Sequence, residues 1–309
     1  MTLPVQEDEV LQRIRRMLEN GIEAFGLRDD AAVLRLPAGG PLVASVDSVV
    51  EGVHFDLAFC SAADIGWKAI MGALSDLAAM GAEPLAALVA LCVPGGSGDG
   101  DLALGVMGGV AEAAAAAGCP VVGGDVSGSD VLMVAVTVLG TVEPVDGPPV
   151  SRAGAQPGDA LLLTGPCGGS AAGLRALRAG QGPGEAYRRP LARLREGQVA
   201  RRGGARAMID VSDGLALDLH RLADASGIGF RLDEVPAAEG ATLEEALGGG
   251  EDYELLIAVS GADLDGLVDT FGREGLRLPA RVGTVVSDPA LRLFGDGALE
   301  RLGWQHRLG

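Results

Sequence analysis

The chain has 309 residues, a net charge of −18, and 48% hydrophobic but only 3% aromatic residues. That length admits two domains with cores of Ala, Val and Leu, and the acidic balance argues against nonspecific nucleic-acid binding, which needs basic surface. No run of 18 apolar residues suggests a membrane span, and four cysteines without C-x-x-C spacing, behind an N-terminus lacking a signal-peptide pattern, read as reduced thiols in a cytoplasmic protein.

Glu7–Asn20 has the spacing of a short amphipathic helix, with Val10, Leu11, Ile14 and Leu18 on one face. The turn GLRDDAAVL then sets Asp29 and Asp30 before a strand over 31–36, and PLVASVDSVV, residues 41–50, is a second strand with Ser45, Asp47 and Ser48 inside it. An acid within a strand is unfavourable by propensity, so Asp47 either has a function or faces water from a sheet edge. Residues 68–84, KAIMGALSDLAAMGAEP, form a helix by spacing, with Gly81 and Pro84 as stop signals. Asp76 lies among Ala, Leu and Met in that helix. A buried, unpartnered carboxylate is costly, so Asp76 either meets a cation or hydrogen-bond network or shares a solvent face with Ser75.

LAALVALCV, residues 85–93, is a buried strand, PGGSGDGD a loop, and 102–117 an Ala-rich helix. A short strand over 120–123 runs into Gly124 and Asp125, and 131–142 is another strand. Gly147-Pro148-Pro149 is the best linker signal, giving expected domains 1–147 and 148–309. The second half continues with strand 159–164, a Gly-rich turn, helix 170–179, the exposed loop QGPG, and a basic helix over 190–202 with a solvated face. Strand 207–211 follows, with Ser212 as N-cap of helix 214–225. An αβ-like segment around 231–233, GGGEDYELLIAV (248–259), helix 262–274 and strand 281–286 complete a two-domain α+β, or mixed α/β, chain.

The familiar phosphate machinery is missing. There is no G-x-x-x-x-G-K-[ST], no H-R-D, no G-x-S-x-G and no G-x-G-x-x-G. Three histidines leave little room for imidazole chemistry. What remains is a series of aspartates at strand ends and turns: Asp30, Asp47, Asp76, Asp125, Asp210 and Asp213. If they converge they make an oxygen-only site of the kind Mg²⁺ prefers, able to support phosphoryl transfer without a covalent enzyme intermediate.

GLRDDAAVL, VASVDSVVEGVHF, ALSDLAAMGAEP, VVGGDVSGSD, SRAGAQPGD, LTGPCGGSAAGL, MIDVSDGL and GGGEDYEL occur in that order between about residue 26 and residue 306. In this sequence and spacing they resemble the thiamine-monophosphate kinase family, within the superfamily of aminoimidazole ribonucleotide synthetase and selenophosphate synthetase. The resemblance implies ATP-dependent phosphorylation of thiamine monophosphate to thiamine diphosphate with several Mg²⁺ ions. It implies an N-terminal domain whose sheet forms a barrel with its twin across a homodimer, and a C-terminal α/β domain that completes the site. By the same resemblance, Asp30, Asp47, Asp76, Asp125, Asp210 and Asp213 match metal ligands, and Ser45, on the strand of Asp47, matches a residue of the same metal and nucleotide site. Asp76, Asp47 and Asp213 are the expected catalytic centre. Gly124, Asp125, Arg152 and Ser212 match nucleotide contacts, and His54, Glu251 and Trp304 match the substrate side.

Two of these have ordinary readings as well: Trp304 as a C-terminal packing residue and His54 as a donor that orders its loop. The sequence departs from the family at Arg28, Val46, Ala73 and Val126, where the family commonly has Gly, a hydroxyl residue, Asn and a hydroxyl residue. Backbone carbonyls or water are expected to replace the oxygens missing at Val46 and Val126. Two other functions stay open at this point: a sister ATP-using enzyme of the superfamily, and a non-catalytic nucleotide-binding homologue.

Overall fold

The computed structural model describes residues 32–35, 40–95, 99–143 and 147–306. The helix expected over 7–20, together with Arg28, Asp29 and Asp30, lies outside these residues.

The first sheet is β1 (Ala32–Arg35), β2 (Pro41–Val50), β3 (Glu83–Pro94), β4 (Val121–Ser129) and β5 (Met133–Thr141), in the order β1-β2-β5-β3-β4. Only the β3–β4 pair is parallel. Alternation along β2 and β3 makes one face apolar: Val43, Val49, Ala87, Val89, Leu91 and Val93 are buried, with Val134, Val136 and Val138 beside them on β5. This face is covered by α1 (Ala62–Ala79) and α2 (Asp99–Ala117). The opposite face stays open, with Val46 64% and Leu88 40% exposed.

Helix α1 starts six residues before the expected Lys68. Ser61 and Asp64 form a reciprocal capping box, each side chain accepting the other's backbone N–H. The helix closes in a Schellman motif: Gly81 at φ +66° lets its own N–H reach the Ala78 carbonyl and the Ala82 N–H reach that of Leu77. Pro84, expected to follow the helix as a stop, instead lies in β3 beside a register shift between Pro84 and Ala86, where a missing N–H is tolerated. Strand β4 also runs further than expected, so Gly124 and Asp125 pair along β3 instead of sitting in a turn.

The second sheet has the order β12-β11-β8-β10-β6-β9-β7. Its strands are β6 (Ala160–Leu163), β7 (Ala205–Asp210), β8 (Gly229–Leu232), β9 (Leu255–Val259), β10 (Ala280–Val286), β11 (Arg292–Phe294) and β12 (Gly297–Ala298). The final β11–β12 hairpin was not anticipated from the sequence. Around the sheet lie α3 (Gly169–Arg178), α4 (Glu185–Arg188), α5 (Leu194–Arg202), α6 (Leu215–Ser226), α7 (Leu243–Gly248) and α8 (Leu264–Arg273). One core forms on its α6 side; another forms on its α5/α8 side.

Helix α1 belongs to both halves. Ile65, Ile70, Leu74 and Leu77 lie in the first core, whereas Ala78 and Ala79 pack with Leu255, Ile257 and Val199 of the second half. The expected solvated face of the basic helix is not observed throughout. Arg201 of α5 is buried and donates to the carbonyls of Gly81 and Gly147, at 3.0 and 3.1 Å. No helix among the described residues is long and apolar enough to cross a membrane.

Candidate active site

A cavity of about 510 Å³ opens where the two sheets meet across α1. Asp47 reaches it from β2, Asp76 from α1, and Asp210, Ser212 and Asp213 from the turn after β7. His54 comes from the turn after β2, Glu251 and Tyr253 from the segment before β9, and Trp304 and His306 from the C-terminal segment.

Alternation explains the β2 contribution. Ser45 and Asp47 share the face of Val43 and Val49, so they point toward α1 from an interior strand, not toward water from an edge. Ser45 Oγ donates to Asp76 Oδ2, supplying the partner this acid requires. Ser75 does not face solvent with Asp76: it is fully buried, and its Oγ donates to Asp210 Oδ2 at 2.6 Å, joining α1 to β7. Asp47 accepts the Ser48 N–H at 2.7 Å. Gly72 opens the space between Asp47 and the second half. A Cβ there would lie 3.2 Å from Asp47 Oδ2 and 3.1 Å from the Tyr253 hydroxyl.

Ser212 is not the N-cap of α6. Gly214 holds that position without a side-chain cap, and Asp218 within the helix accepts the N–H groups of Asp213 and Gly214 at 3.0 and 3.1 Å. Arg221 pairs with both Asp213 and Asp218. The Ser212 carbonyl accepts the Glu251 N–H at 2.7 Å. Trp304 is 53% exposed rather than packed, and its backbone N–H donates to the Asp213 carbonyl at 2.8 Å. Its ring meets His306 edge-on, and His306 in turn lies 5.2 Å from the His54 ring.

The segment before β9 is unusually committed. Glu251 pairs with Lys68 of α1 at 2.7 Å, and Asp252 accepts the N–H groups of Gly168 and Ser170 at the start of α3. Tyr253 faces Gly72, and buried Glu254 binds Arg193 and the Thr164 hydroxyl. Glu251 and Tyr253 hold positive φ values of 65° and 52°, a conformation uncommon for such residues.

The electrostatics follow from this crowding. Burial raises the Asp47 carboxyl, and the negative charge of Asp213 adds to the rise. Burial likewise raises Glu251, opposed by Lys68 and reinforced by Asp47 and Asp213. Burial, with His306 and Lys68 nearby, lowers His54 to about 4. His54 is therefore neutral at pH 7, its Nδ1 accepting the Val50 N–H at 3.1 Å.

Four expected residues do not line the cavity: Ser45, which meets it only through its bond to Asp76, and Asp125, Gly124 and Arg152. Asp125 pairs in register with Ala90 and shares the open face of the first sheet, opposite the face that carries Asp47. Gly124 is required by packing: a Cβ there would lie 1.9 Å from the Val89 carbonyl oxygen. Arg152 lies in the loop before β6, its carbonyl accepting from Ser226. Val46 falls on the open face too, so its side chain points away from Ser45 and Asp76. Ala73 is fully buried in the first core. The sequence reading gave no role to Lys68, Ser75, Tyr187, Tyr253 or His306. The usable signals were a sole lysine, a hydroxyl beside Asp76, and a tyrosine inside GGGEDYEL.

Residues 28–142 match the family described as AIR synthase related protein, N-terminal domain, and residues 156–296 match its C-terminal domain. The chain is 38% identical over 264 residues to the thiamine-monophosphate kinase of Methanospirillum hungatei JF-1, covering 81% of this chain and 87% of that one. It is 36% identical over 264 residues to that of Bacillus subtilis 168, covering 79% and 80%. The chain belongs to the thiamine-monophosphate kinase family. AaThiL, solved in complex with AMPPCP and TMP, superposes with a TM-score of 0.86 at 28% identity, over 99% of both chains. The mixed α/β, two-domain architecture of this kinase family is therefore present throughout the described residues.

Proposed function

We propose that the cavity binds ATP and thiamine monophosphate and transfers the terminal phosphoryl group of ATP to the substrate phosphate, giving thiamine diphosphate and ADP. The observation that carries this reading is the meeting of Asp47, Asp76, Asp210 and Asp213 from both halves of the chain at one cavity walled by Trp304, His306 and His54. The AaThiL complex with AMPPCP, an ATP analogue, and TMP supports the same pair of substrates.

In the transfer, an oxygen of the acceptor phosphate forms a bond to the γ-phosphorus while the bond to the β–γ bridging oxygen breaks. That acceptor oxygen is already ionised at neutral pH, so no strong general base is needed. This agrees with a site whose His54 is neutral and engaged with the backbone. The chain's contribution is positioning and exclusion of water. Trp304 is placed to stack on a substrate ring.

The donor chemistry fits Mg²⁺. The mutual repulsion of Asp47, Asp213 and Glu251 is the environment a cation relieves. Among the described residues, no three His, Cys, Asp or Glu side chains stand close enough to form a metal site alone. This suits an ion that keeps waters and shares phosphate oxygens. Ser45, Asp47, Asp76, Asp210 and Asp213 would hold it, with Asp30 as a further candidate outside the described residues. When bound, Mg²⁺ neutralises phosphate charge.

Two features complete the proposal. The domain boundary is placed at 147/148. A second copy of the chain would cover the open face of the first sheet, where Val46, Leu88 and Asp125 lie; sedimentation at the monomer mass would refute this. The functional test is a substrate panel read by ADP release. Turnover with thiamine monophosphate, and none with formylglycinamidine ribonucleotide or selenide, is expected. Asp76→Asn should abolish that turnover while leaving the melting curve in place; a normally active variant would overturn the role of Asp76.

A further inference from the structure

Lys68 is the only lysine in the chain and has no exposure to solvent. A buried ammonium needs partners, and Lys68 has three. Nζ donates to Glu251 Oε2 at 2.7 Å and to the His54 carbonyl at 2.8 Å, and it lies 3.8 Å above the centre of the Tyr187 ring. The Tyr187 hydroxyl donates to the same His54 carbonyl at 3.2 Å. Four segments converge on this one cation: α1, the turn after β2, α4, and the segment before β9.

A buried ion pair is weak evidence for stability, because an apolar pair of similar volume serves as well or better. Its value here lies in what it leaves available. Glu251 lines the cavity with 22% of its side chain exposed. One carboxylate oxygen is committed to Lys68, while Oε1 has no hydrogen-bond partner among the described residues. Its backbone is fixed at positive φ by the bond to the Ser212 carbonyl. The result is an oriented carboxylate in the cavity lining whose second oxygen, itself closed off from solvent, keeps unused acceptor capacity that a side-chain turn within the cavity would bring to a bound ring.

We propose that Lys68 is a positioning and specificity-determining residue: by holding Glu251 and the His54 turn together, it presents an acceptor that selects a substrate ring bearing an N–H donor, such as an aminopyrimidine. This rests on the thiamine monophosphate reading above. A ring carrying a carbonyl in place of the amine would put oxygen against oxygen at Glu251.

The test compares kcat/KM for thiamine monophosphate with that for its 4-oxo analogue, in which the pyrimidine amine is replaced by oxygen. The wild-type protein should favour the amine by about 10- to 100-fold, the worth of one hydrogen bond to a charged group. Lys68→Met should lose most of that preference and raise the KM for thiamine monophosphate, with the KM for ATP unchanged. A purely structural lysine would lower the melting temperature and leave both the preference and the KM ratio intact, which would overturn the proposal. Should Lys68→Met fail to fold with Glu251 unpaired, Lys68→Met/Glu251→Gln is read against Glu251→Gln alone: a further rise in the KM for thiamine monophosphate on removing Lys68 supports its positioning role, and identical constants overturn it. A wild-type protein inactive on thiamine monophosphate refutes the functional reading and this proposal with it. An active wild type with an unchanged variant refutes the role of Lys68 alone.

Discussion

Replacing Ser75 by alanine removes the donor from one of the bonds that join the two halves beside the cavity. Ser75 is fully buried and Asp210 is 2% exposed, so a replacement donor would have to be a water drawn from the cavity into the space of the lost hydroxyl. The bond is short, 2.6 Å, and its acceptor is a carboxylate. A hydrogen bond to a charged group contributes about 1.5–3 kcal/mol, and a buried acceptor left short of a donor sits at the upper part of that range. The expected cost is therefore about 2–3 kcal/mol, and at about 2 °C per kcal/mol for a chain of this size the melting temperature should fall by about 4–6 °C. Urea titration followed by tryptophan fluorescence gives the free energy directly. A cycle with Asp210→Asn and the double variant isolates the pair. A coupling energy below about 0.5 kcal/mol, within the usual error of additivity for independent sites, would refute the claim that this bond holds the halves together.

Asp252 gives a pH test. Burial raises its carboxyl to about 6 despite the N–H groups it accepts at the start of α3. Between the unfolded value near 4 and the folded value near 6, the unfolded chain loses this proton first, so stability should fall as pH rises through that window by about 3 kcal/mol. Asp252→Asn should flatten that slope in urea titrations from pH 4 to 6.5; an unchanged slope would place the titration elsewhere. Gly124→Ala should displace β4 from β3, costing about 1–3 kcal/mol through overpacking, and should raise amide exchange along β4 even without nucleotide. Normal exchange with weakened ATP binding would instead make Gly124 a nucleotide contact.

Much of this arrangement is legible in the sequence, and particular residues show why the rest is not. The strand over 41–50 is found with its observed ends because alternation and flanking signals agree. Asp76 stands out because a lone acid in an apolar helix demands a partner. The identity of that partner was out of reach, since Ser45 is 31 residues away and meets it only through sheet–helix packing. Ser212 has the composition of an N-cap, yet Asp218 satisfies those N–H groups from inside the helix, a tertiary solution that local propensity does not encode. Asp125 carries the right chemistry, but its face depends on the register of β4 against β3, which only the folded sheet fixes.

Glu251, Asp252, Tyr253 and Glu254 have four separate destinations: Lys68 on α1, the start of α3, the floor of the cavity at Gly72, and the Arg193–Thr164 pair. In kinetic terms, this tetrapeptide is a coincidence detector. None of its contacts is local, so each must wait for a different part of the chain to arrive, and loop-closure entropy makes such contacts late. Refolding should therefore recover secondary structure well before catalytic competence, with activity appearing in one final step and no partly active intermediate. Slipping the tetrapeptide by a single residue would misdirect all four side chains at once, so a deletion within it should abolish the cavity, whereas the same deletion among the exposed residues 181–183 should be tolerated.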